Sequence, residues 1–210
     1  MLVERKSPKR STYPNDFYVD SEARKISRDN DVPKQGSLVL HLSLPHINWF
    51  ALQLSDEKRK TNVGFWGFSA GLDYFHPKNQ FLSLTGGSVT DFFAPVPAAV
   101  SFSGEYERMY STFVAASNNH IINKFSLGYG LSFNCNTWER HYNPIDENAS
   151  ATEVDRKVKN ALGLMASAYW RVGRHFNLGI TYRPSLISLD DTDSKYEHVV
   201  SLDLAWKIRL

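Results

Sequence analysis

The last sixteen residues of the chain, KYEHVVSLDLAWKIRL (195–210), alternate between two kinds of side chain. Except at His198, every second position holds a large apolar or aromatic residue: Tyr196, Val200, Leu202, Leu204, Trp206 and Ile208. Because neighbouring side chains of a β-strand point to opposite faces, this alternation predicts one strand with an apolar face and a charged face. The strand is about twice as long as the five or six residues of an ordinary strand, so few folds can accommodate it.

The same two-faced pattern recurs in seven segments upstream of this strand, less regularly in 81–92 and 104–117 than in the others. They are residues 37–54, GFWGFSAGLDYF (64–75), FLSLTGGSVTDF (81–92), GEYERMYSTFVAAS (104–117), KFSLGYGLSFNCNTW (124–138), KNALGLMASAYWRV (159–172) and HFNLGITYRPSLISL (175–189). The connections alternate between tight turns, at 76–80, 117–120 and 173–175, and longer polar or proline-rich loops, at 55–62, 93–103, 139–156 and 190–195. Eight strands joined in this way predict an all-β, antiparallel up-and-down barrel over residues 36–210.

The rest of the composition restricts the class of protein. Residues 1–35 are polar, mixed in charge and without a sustained period, which predicts an N-terminal extension. The formal charge is +2, with 24 basic and 22 acidic residues, so no positive field indicates nucleic-acid binding. Cys135 is the single cysteine and cannot form an internal disulfide. The uncharged stretch 36–55 alternates and contains Pro45, which favours a strand over a membrane helix.

The alternation fits two environments. In a soluble, lipocalin-like calyx the apolar face would surround an apolar ligand, whereas in a membrane barrel it would face lipid. The polar face is rich in glycine and serine, which suits the narrow interior of an eight-stranded barrel better than a water-facing sheet. Six aromatic residues lie on the apolar face near strand ends, as an interfacial girdle would: Trp66, Tyr74, Trp170, Tyr182, Tyr196 and Trp206. The pattern therefore favours a transmembrane β-barrel.

Several of these segments resemble small outer-membrane β-barrel proteins of Gram-negative bacteria, in particular those of the Bacteroidota type. The segments are GFWGFSAGLDYF, NKFSLGYGLSFNCNTWERHY, FNLGITYRPSLISL and the terminal SLDLAWKIRL. The resemblance covers about residues 36–210 and implies a barrel in the outer membrane, with the N-terminus and the short turns facing the periplasm. Proteins of this kind enter through a signal peptide, and the opening MLVERKSPKR has no apolar core, so we expect no signal peptide in this chain.

The inward face carries charges that predict a sealed interior. The expected lumen charge network is Asp73, Lys159, Arg171, Arg183, Glu197, Asp203, Lys207 and Arg209. Because an unpaired buried charge is costly, we expect these groups to pair, with Arg171 and Arg183 meeting Glu197, Asp203 or Asp73. An eight-stranded barrel is just wide enough for its own side chains, so the sequence predicts no open pore.

A catalytic interpretation depends on one pair of residues. His41 and Ser43 lie two apart on one strand and share its inward face, as a base and a nucleophile would. Some small outer-membrane barrels are lipid acyl hydrolases or transferases, but their pair faces lipid. Three of the seven histidines, His76, His120 and His175, fall in predicted tight turns, and none of the seven has metal-ligand spacing. The sequence therefore predicts no metal and no cofactor.

The favoured function is a non-catalytic outer-membrane β-barrel with a structural, surface-exposed or partner-binding role. The alternatives are a soluble calyx that binds an apolar ligand and a lipid-modifying barrel enzyme. The expected partners are outer-membrane lipid, the barrel-assembly machinery during biogenesis, and a protein of the envelope. The barrel prediction has two local consequences. Residues 139–156 should form the longest external loop, and six apolar residues should face lipid: Leu127, Phe133, Leu164, Leu178, Leu202 and Leu204.

Overall fold

The computed structural model describes residues 32–53, 58–76, 79–92, 104–143, 153–190 and 196–210. Nearly all of the predicted N-terminal extension lies outside this part of the chain. The strands are β1 (Leu38–Leu52), β2 (Lys60–Gly64), β3 (Trp66–Phe75), β4 (Gln80–Thr90), β5 (Gly104–Ile122), β6 (Phe125–Asn143), β7 (Glu153–Arg171), β8 (Phe176–Ser188) and β9 (Glu197–Arg209). Among the described residues there is no helix long and apolar enough to cross a membrane.

The strands form a closed ring. β2 and β3 are two parts of one staggered strand interrupted at Phe65, since both pair with β1. From β3 to β9 each strand pairs antiparallel with the next, and β9 returns to pair with β1. The ring therefore contains eight staggered strands, and the prediction of an eight-stranded antiparallel up-and-down barrel is confirmed.

The two ends of the barrel differ in their connections. At the tight-turn end, Asn79 and Asn123 have φ values of 69° and 60°, a left-handed conformation that asparagine tolerates and that tight turns require. The chain also ends here, where the backbone N–H of Leu210 donates to the carbonyl of Leu38 at 3.1 Å. The opposite end, which we call the loop end, carries the longer connections.

Three predicted connections were placed wrongly, and the first is 55–62, whose last three residues belong to β2. Residues 117–120 lie inside β5, which continues to Ile122, and the turn is at Asn123 and Lys124. His120 is therefore a strand residue. Polar residues hid this continuation, because Ser117 and Asn119 point inward and the alternation passes through them. The predicted loop 139–156 is also shorter, since β6 runs to Asn143 and β7 begins at Glu153; residues 144–152 lie outside the described part.

Strand β1 contains a register shift that the sequence pattern did not reveal. Its pairing with β9 skips one residue between Pro45 and Ile47, as in a β-bulge. Val39 and Ser43 are buried before the shift, and Phe50 and Leu52 are buried after it. The shift exchanges odd for even positions, so each half of β1 places its own set of residues inside the barrel.

The outer surface is apolar around the middle of the barrel. Five of the six residues predicted to face lipid are between 38% and 47% exposed, and Leu204 is partly exposed on the same face. Their outward placement is confirmed. Such side chains would be buried in a globular protein, so the belt they form requires an apolar surrounding.

Three strands extend beyond the others at the loop end. β5, β6 and β7 each have 19 residues. β4 pairs no further along β5 than Tyr110, and β8 pairs no further along β7 than Ala161. Residues 104–109 of β5 and 153–160 of β7 consequently lie beyond the ladders of β4 and β8, and with 138–143 of β6 between them we call these three segments the projecting sheet.

Candidate functional site

The strand alternation turns most of the predicted charges into the barrel. Of the eight residues predicted to form the lumen network, five are buried: Asp73, Lys159, Arg183, Glu197 and Asp203. Arg171 and Lys207 are half-buried, whereas Arg209 is exposed at the tight-turn end and does not belong to the buried network. The buried charges form one cluster around Asp73 and another around Glu197, whereas Arg183 and Asp203 contact uncharged side chains.

The first cluster surrounds Asp73. Lys207 Nζ lies 2.8 Å from Asp73 Oδ2, and His41 Nδ1 lies 2.9 Å from Asp73 Oδ1. β1 pairs with both β3 and β9, and this topology brings the three residues together. Gly71 leaves space for the imidazole, since a Cβ there would lie 2.5 Å from His41 Cε1. An ammonium group and an imidazole N–H thus compensate the burial of a carboxylate that is 1% exposed.

The second cluster surrounds Glu197, which is fully buried. Asn136 Nδ2 donates to Glu197 Oε2 at 2.7 Å, and the backbone N–H of Gln53 donates to Oε1 at 3.0 Å. Lys159 Nζ lies 3.5 Å from the same Oε1. Hydrogen bonds to both oxygens and a nearby ammonium reduce the desolvation cost of this carboxylate.

Arg183 and Arg171 do not form the predicted ion pairs. The Arg183 guanidinium lies over the ring of Phe113, with 3.7 Å from Cζ to the ring centroid, and Nη2 donates to Ser201 Oγ at 3.4 Å. Arg171 Nη2 donates to the carbonyl of Asn123 in the tight turn at 3.1 Å. Within the described chain neither arginine has a carboxylate at ion-pair distance, and an aromatic face and a backbone carbonyl serve instead.

Asp203, one of the expected partners of these arginines, is held by hydroxyl groups. Tyr169 Oη donates to Asp203 Oδ2 at 2.9 Å, and Thr181 Oγ1 lies 3.5 Å from the same oxygen. Gly179 makes room for the tyrosine, because a Cβ there would lie 2.1 Å from Tyr169 Cδ1. Small residues opposite large ones therefore let polar side chains cross a narrow lumen.

An apolar layer also fills the interior, and the sequence interpretation missed it. Its members are Phe50, Leu52, Val89, Met109, Phe113, Ala115, Trp138, Met165 and Val199, each at most 7% exposed. They occupy positions on the face that is otherwise polar. Met109 and Phe113 are odd-numbered positions of β5, as are inward Ser117 and Asn119. Had the strand been extended correctly through Asn119, the two-residue period would have placed both apolar residues inside.

The remaining space in the lumen is small. A cavity of about 40 Å³ lies between the Asp73 cluster and Arg183. A cavity needs about 10–15 Å³ of such space to hold one water, so this one has room for a few waters but not for a larger solute. Charges, hydroxyl groups and the apolar layer together fill the described interior.

This packing bears on the catalytic candidates His41 and Ser43. Both are buried and inward-facing, but they share no hydrogen bond among the described contacts. His41 Nε2 instead lies 3.1 Å from Thr85 Oγ1, while Nδ1 meets Asp73. An Asp–His–Thr chain has the connectivity of a nucleophilic triad. The 40 Å³ cavity beside it gives an acyl substrate no room.

The loop-end mouth of the lumen is covered by a cluster around Trp138. Lys60 Nζ lies 3.9 Å from the Trp138 ring centroid and 2.7 Å from Glu107 Oε1. Trp138 Nε1 donates to Glu107 Oε2 at 3.1 Å, and Arg140 Cζ lies 5.0 Å from the ring. Trp138, which also belongs to the apolar layer, thus lies between cationic groups at the loop-end side of that layer.

Asp91, just after β4, is a second feature of this mouth. It is 6% exposed, and Asn62 Nδ2 donates to its Oδ2 at 2.7 Å. Burial raises the pKa of Asp91 from 3.8 to about 6, although hydrogen bonds from the backbone and from Asn62 act in the opposite direction. The carboxyl therefore titrates near neutral pH.

The six predicted interfacial aromatics all lie on the outer face. Tyr74, Trp170 and Trp206 lie toward the tight-turn end and are 45–46% exposed. Trp66, Tyr182 and Tyr196 lie toward the loop end. Their outward position agrees with the alternation, and their place at a membrane interface stays a prediction. Among the described residues, no group of three or more His, Cys, Asp or Glu could hold a metal ion.

A closed ring with an apolar belt outside and paired charges inside defines a small transmembrane β-barrel. Solved outer-membrane proteins have a similar fold. The attachment invasion locus protein Ail of Yersinia pestis aligns with a TM-score of 0.56 at 12% identity, over 83% of this chain and 100% of Ail. Neisserial surface protein A aligns with a TM-score of 0.47 at 12% identity, over 84% of this chain and 98% of that protein. No protein-family model and no curated protein sequence matches the chain.

Proposed function

We propose that the protein is a non-catalytic β-barrel of the outer membrane whose loop end is exposed at the cell surface and contacts a partner. The observation that carries this proposal is the combination of an apolar outer belt with a filled lumen that contains acidic and basic side chains. Leu131, for example, is 68% exposed on the outside, whereas Glu197 is fully buried inside. Only a surrounding of lipid makes that distribution favourable.

The soluble calyx is less well supported. A calyx holds its ligand in an apolar cavity of several hundred Å³, and the lumen cavity described here is about 40 Å³ and lined in part by Asp73, Arg183 and Asp203. The lipid-modifying enzyme is also less well supported. The His41–Thr85 contact faces the same small cavity, which has no room for an acyl substrate. The proposal therefore keeps lipid, the barrel-assembly machinery and an envelope protein as partners; the Bacteroidota origin stays a prediction.

The projecting sheet is the surface that we assign to a partner. Its outer face adds charged side chains to apolar ones, since Glu139 Oε1 accepts from Tyr110 Oη at 3.1 Å and lies 3.4 Å from Arg156 Nε. His141 adds a ring stacked on Tyr106 at 4.8 Å between centroids. A sheet that extends past the belt, and whose two edges have no ladder partner among the described residues, suits binding by strand addition or by side-chain contact.

Labelling of single cysteines tests the topology. In a Cys135→Ser background, Asp155→Cys places a thiol on the projecting sheet and Arg174→Cys places one in a tight turn. A membrane-impermeant maleimide added to intact cells should label position 155 and leave position 174 unlabelled until the envelope is permeabilised. If only position 174 is labelled in intact cells, the barrel has the opposite orientation. Recovery of the unmodified protein in a detergent-free soluble fraction would overturn the membrane assignment.

A further inference from the structure

An aromatic and cationic cluster lies on the outer face of the barrel at the loop end. Arg59 Nη2 lies 2.9 Å from His198 Nδ1, and Arg59 Cζ lies 5.6 Å from the centroid of Tyr196. The hydroxyl groups of Tyr182 and Tyr196 are hydrogen-bonded to each other. Trp49 meets the His198 ring edge-to-face at 5.9 Å. Four separate segments of the chain thus converge on one patch, which we call the Arg59 patch.

The guanidinium of this patch has unused binding capacity. Arg59 is exposed, and in the described part of the chain it forms one hydrogen bond and one ring contact but no ion pair. A guanidinium has five N–H donors in a fork that matches the oxygens of a phosphate. The two tyrosine hydroxyl groups beside it add further polar atoms at the edge of the apolar belt.

An apolar groove begins at the same tyrosine. It crosses from β8 to β6 on the lipid-facing surface, with Tyr182, Ala166 and Tyr129 along one row and Leu164 and Leu131 along the next. Pro184 explains why the groove forms. Proline has no backbone N–H, and the pairing of β7 with β8 is interrupted between Gly163–Ser185 and Ala166–Tyr182.

We propose that the Arg59 patch and this groove together bind one lipid with an anionic phosphate head group. The phosphate would lie against Arg59 and the tyrosine hydroxyl groups, and an acyl chain would lie in the groove past Tyr182. Charge and position support this occupant, because the exposed cation is at the membrane interface and the apolar groove is within the belt. The inference rests on the proposed membrane location and names the chemistry of the lipid that the barrel retains.

The test measures lipid retained by the purified protein. The barrel is folded in detergent, mixed with phosphatidylglycerol, and examined by native mass spectrometry; phosphatidylcholine is the uncharged-head-group comparison. Arg59→Gln should lower the retained phosphatidylglycerol about tenfold, the effect of losing one charge-assisted contact. Lys58→Gln makes the same charge change one residue away and should leave retention unchanged.

A second pair of variants tests the groove. Ala166→Trp fills it and should also reduce phosphatidylglycerol retention, whereas Ala168→Trp adds the same ring on the same face outside the groove and should not. Heat-modifiable migration on a gel shows that each variant is folded before it is compared. If one groove variant misfolds, the Arg59→Gln and Lys58→Gln pair alone tests the lipid site.

The outcomes separate this inference from the proposed function. If the wild type folds into lipid but Arg59→Gln and Lys58→Gln retain the same amount of phosphatidylglycerol, the lipid site is wrong and the barrel assignment stands. Inorganic phosphate at about 10 mM saturates a site with a Kd near 1 mM. If it displaces the lipid completely, the site recognises phosphate without the acyl chain and the inference fails. A wild type that never enters lipid contradicts the proposed function itself.

Discussion

Lys207 and Asp73 lie 134 positions apart in the sequence, and their Nζ and Oδ2 atoms lie 2.8 Å apart inside the barrel. Strand β1 separates their two strands, so the contact forms only once the ring has closed. His41 on β1 completes the cluster from the intervening strand. The contact therefore connects the beginning and the end of the barrel.

Asp73→Asn should destabilise the barrel strongly. The substitution leaves the Lys207 ammonium half-buried without its carboxylate, and breaking a buried pair costs about 3–5 kcal/mol; since Lys207 keeps some contact with solvent, we expect about 2–4 kcal/mol. The free energy of unfolding in urea, measured in lipid vesicles, checks this value. Asp155→Asn, an exposed carboxylate, should change it by about 0.5 kcal/mol or less, and Asp73→Asn/Lys207→Met should recover part of the loss. An Asp73→Asn variant with an unchanged free energy of unfolding would show that the Asp73–Lys207 pair contributes nothing to stability.

Leu164→Arg should destabilise the barrel because it places a charge against lipid. Leu164 is 46% exposed in the middle of the apolar belt, and an arginine near the bilayer midplane costs about 2–4 kcal/mol. The same unfolding measurement in vesicles provides the value. Val158→Arg is the matched control, since Val158 faces outward from the same strand within the projecting sheet, and the expected cost there is about 1 kcal/mol or less. Equal costs at the two positions would contradict the assigned belt.

The purified barrel should give no steady conductance in a planar bilayer. The apolar layer and the two charge clusters fill the lumen among the described residues, and the cavity of about 40 Å³ between them is far smaller than an aqueous channel. Single-channel recording at increasing voltage checks the expectation. A porin of known conductance reconstituted in parallel confirms that the membrane reports pores, and stable openings of porin size from this protein would refute the sealed lumen.

Stability should fall as the pH rises through 6, and Asp91 should cause part of the fall. The pKa of this carboxyl is about 6 in the fold and 3.8 in an unfolded chain, so the folded state binds a proton that the unfolded state has already released. The stabilisation is fully present below about pH 3.8 and is lost above pH 6. Asp91→Asn should reduce the difference in unfolding free energy between pH 4 and pH 8 by roughly 2 kcal/mol. An unchanged difference in the variant would exclude Asp91 as the titrating group.

The alternation of the C-terminal strand shows how far local sequence reasoning extends. Leu202 and Leu204 lie outside and Asp203 lies inside, as the two-residue period predicted. The period failed where backbone irregularities change it. Pro45 is followed by a register shift in β1, and polar Asn119 continues a strand where a turn was expected. A period of two assigns faces only while the strand is regular, so its errors begin at bulges and at strand ends.

The sequence by itself determined the class of fold: eight long two-faced strands, a closed antiparallel ring and an outward apolar belt, because strand geometry is local and periodic. Only the tertiary structure decided which interior residues meet. It placed Lys207 rather than an arginine beside Asp73, laid Arg183 on Phe113, and filled the lumen with an apolar layer around Met165. Those contacts depend on the register of eight strands around the ring, where a shift of one residue reverses the face of every side chain that follows.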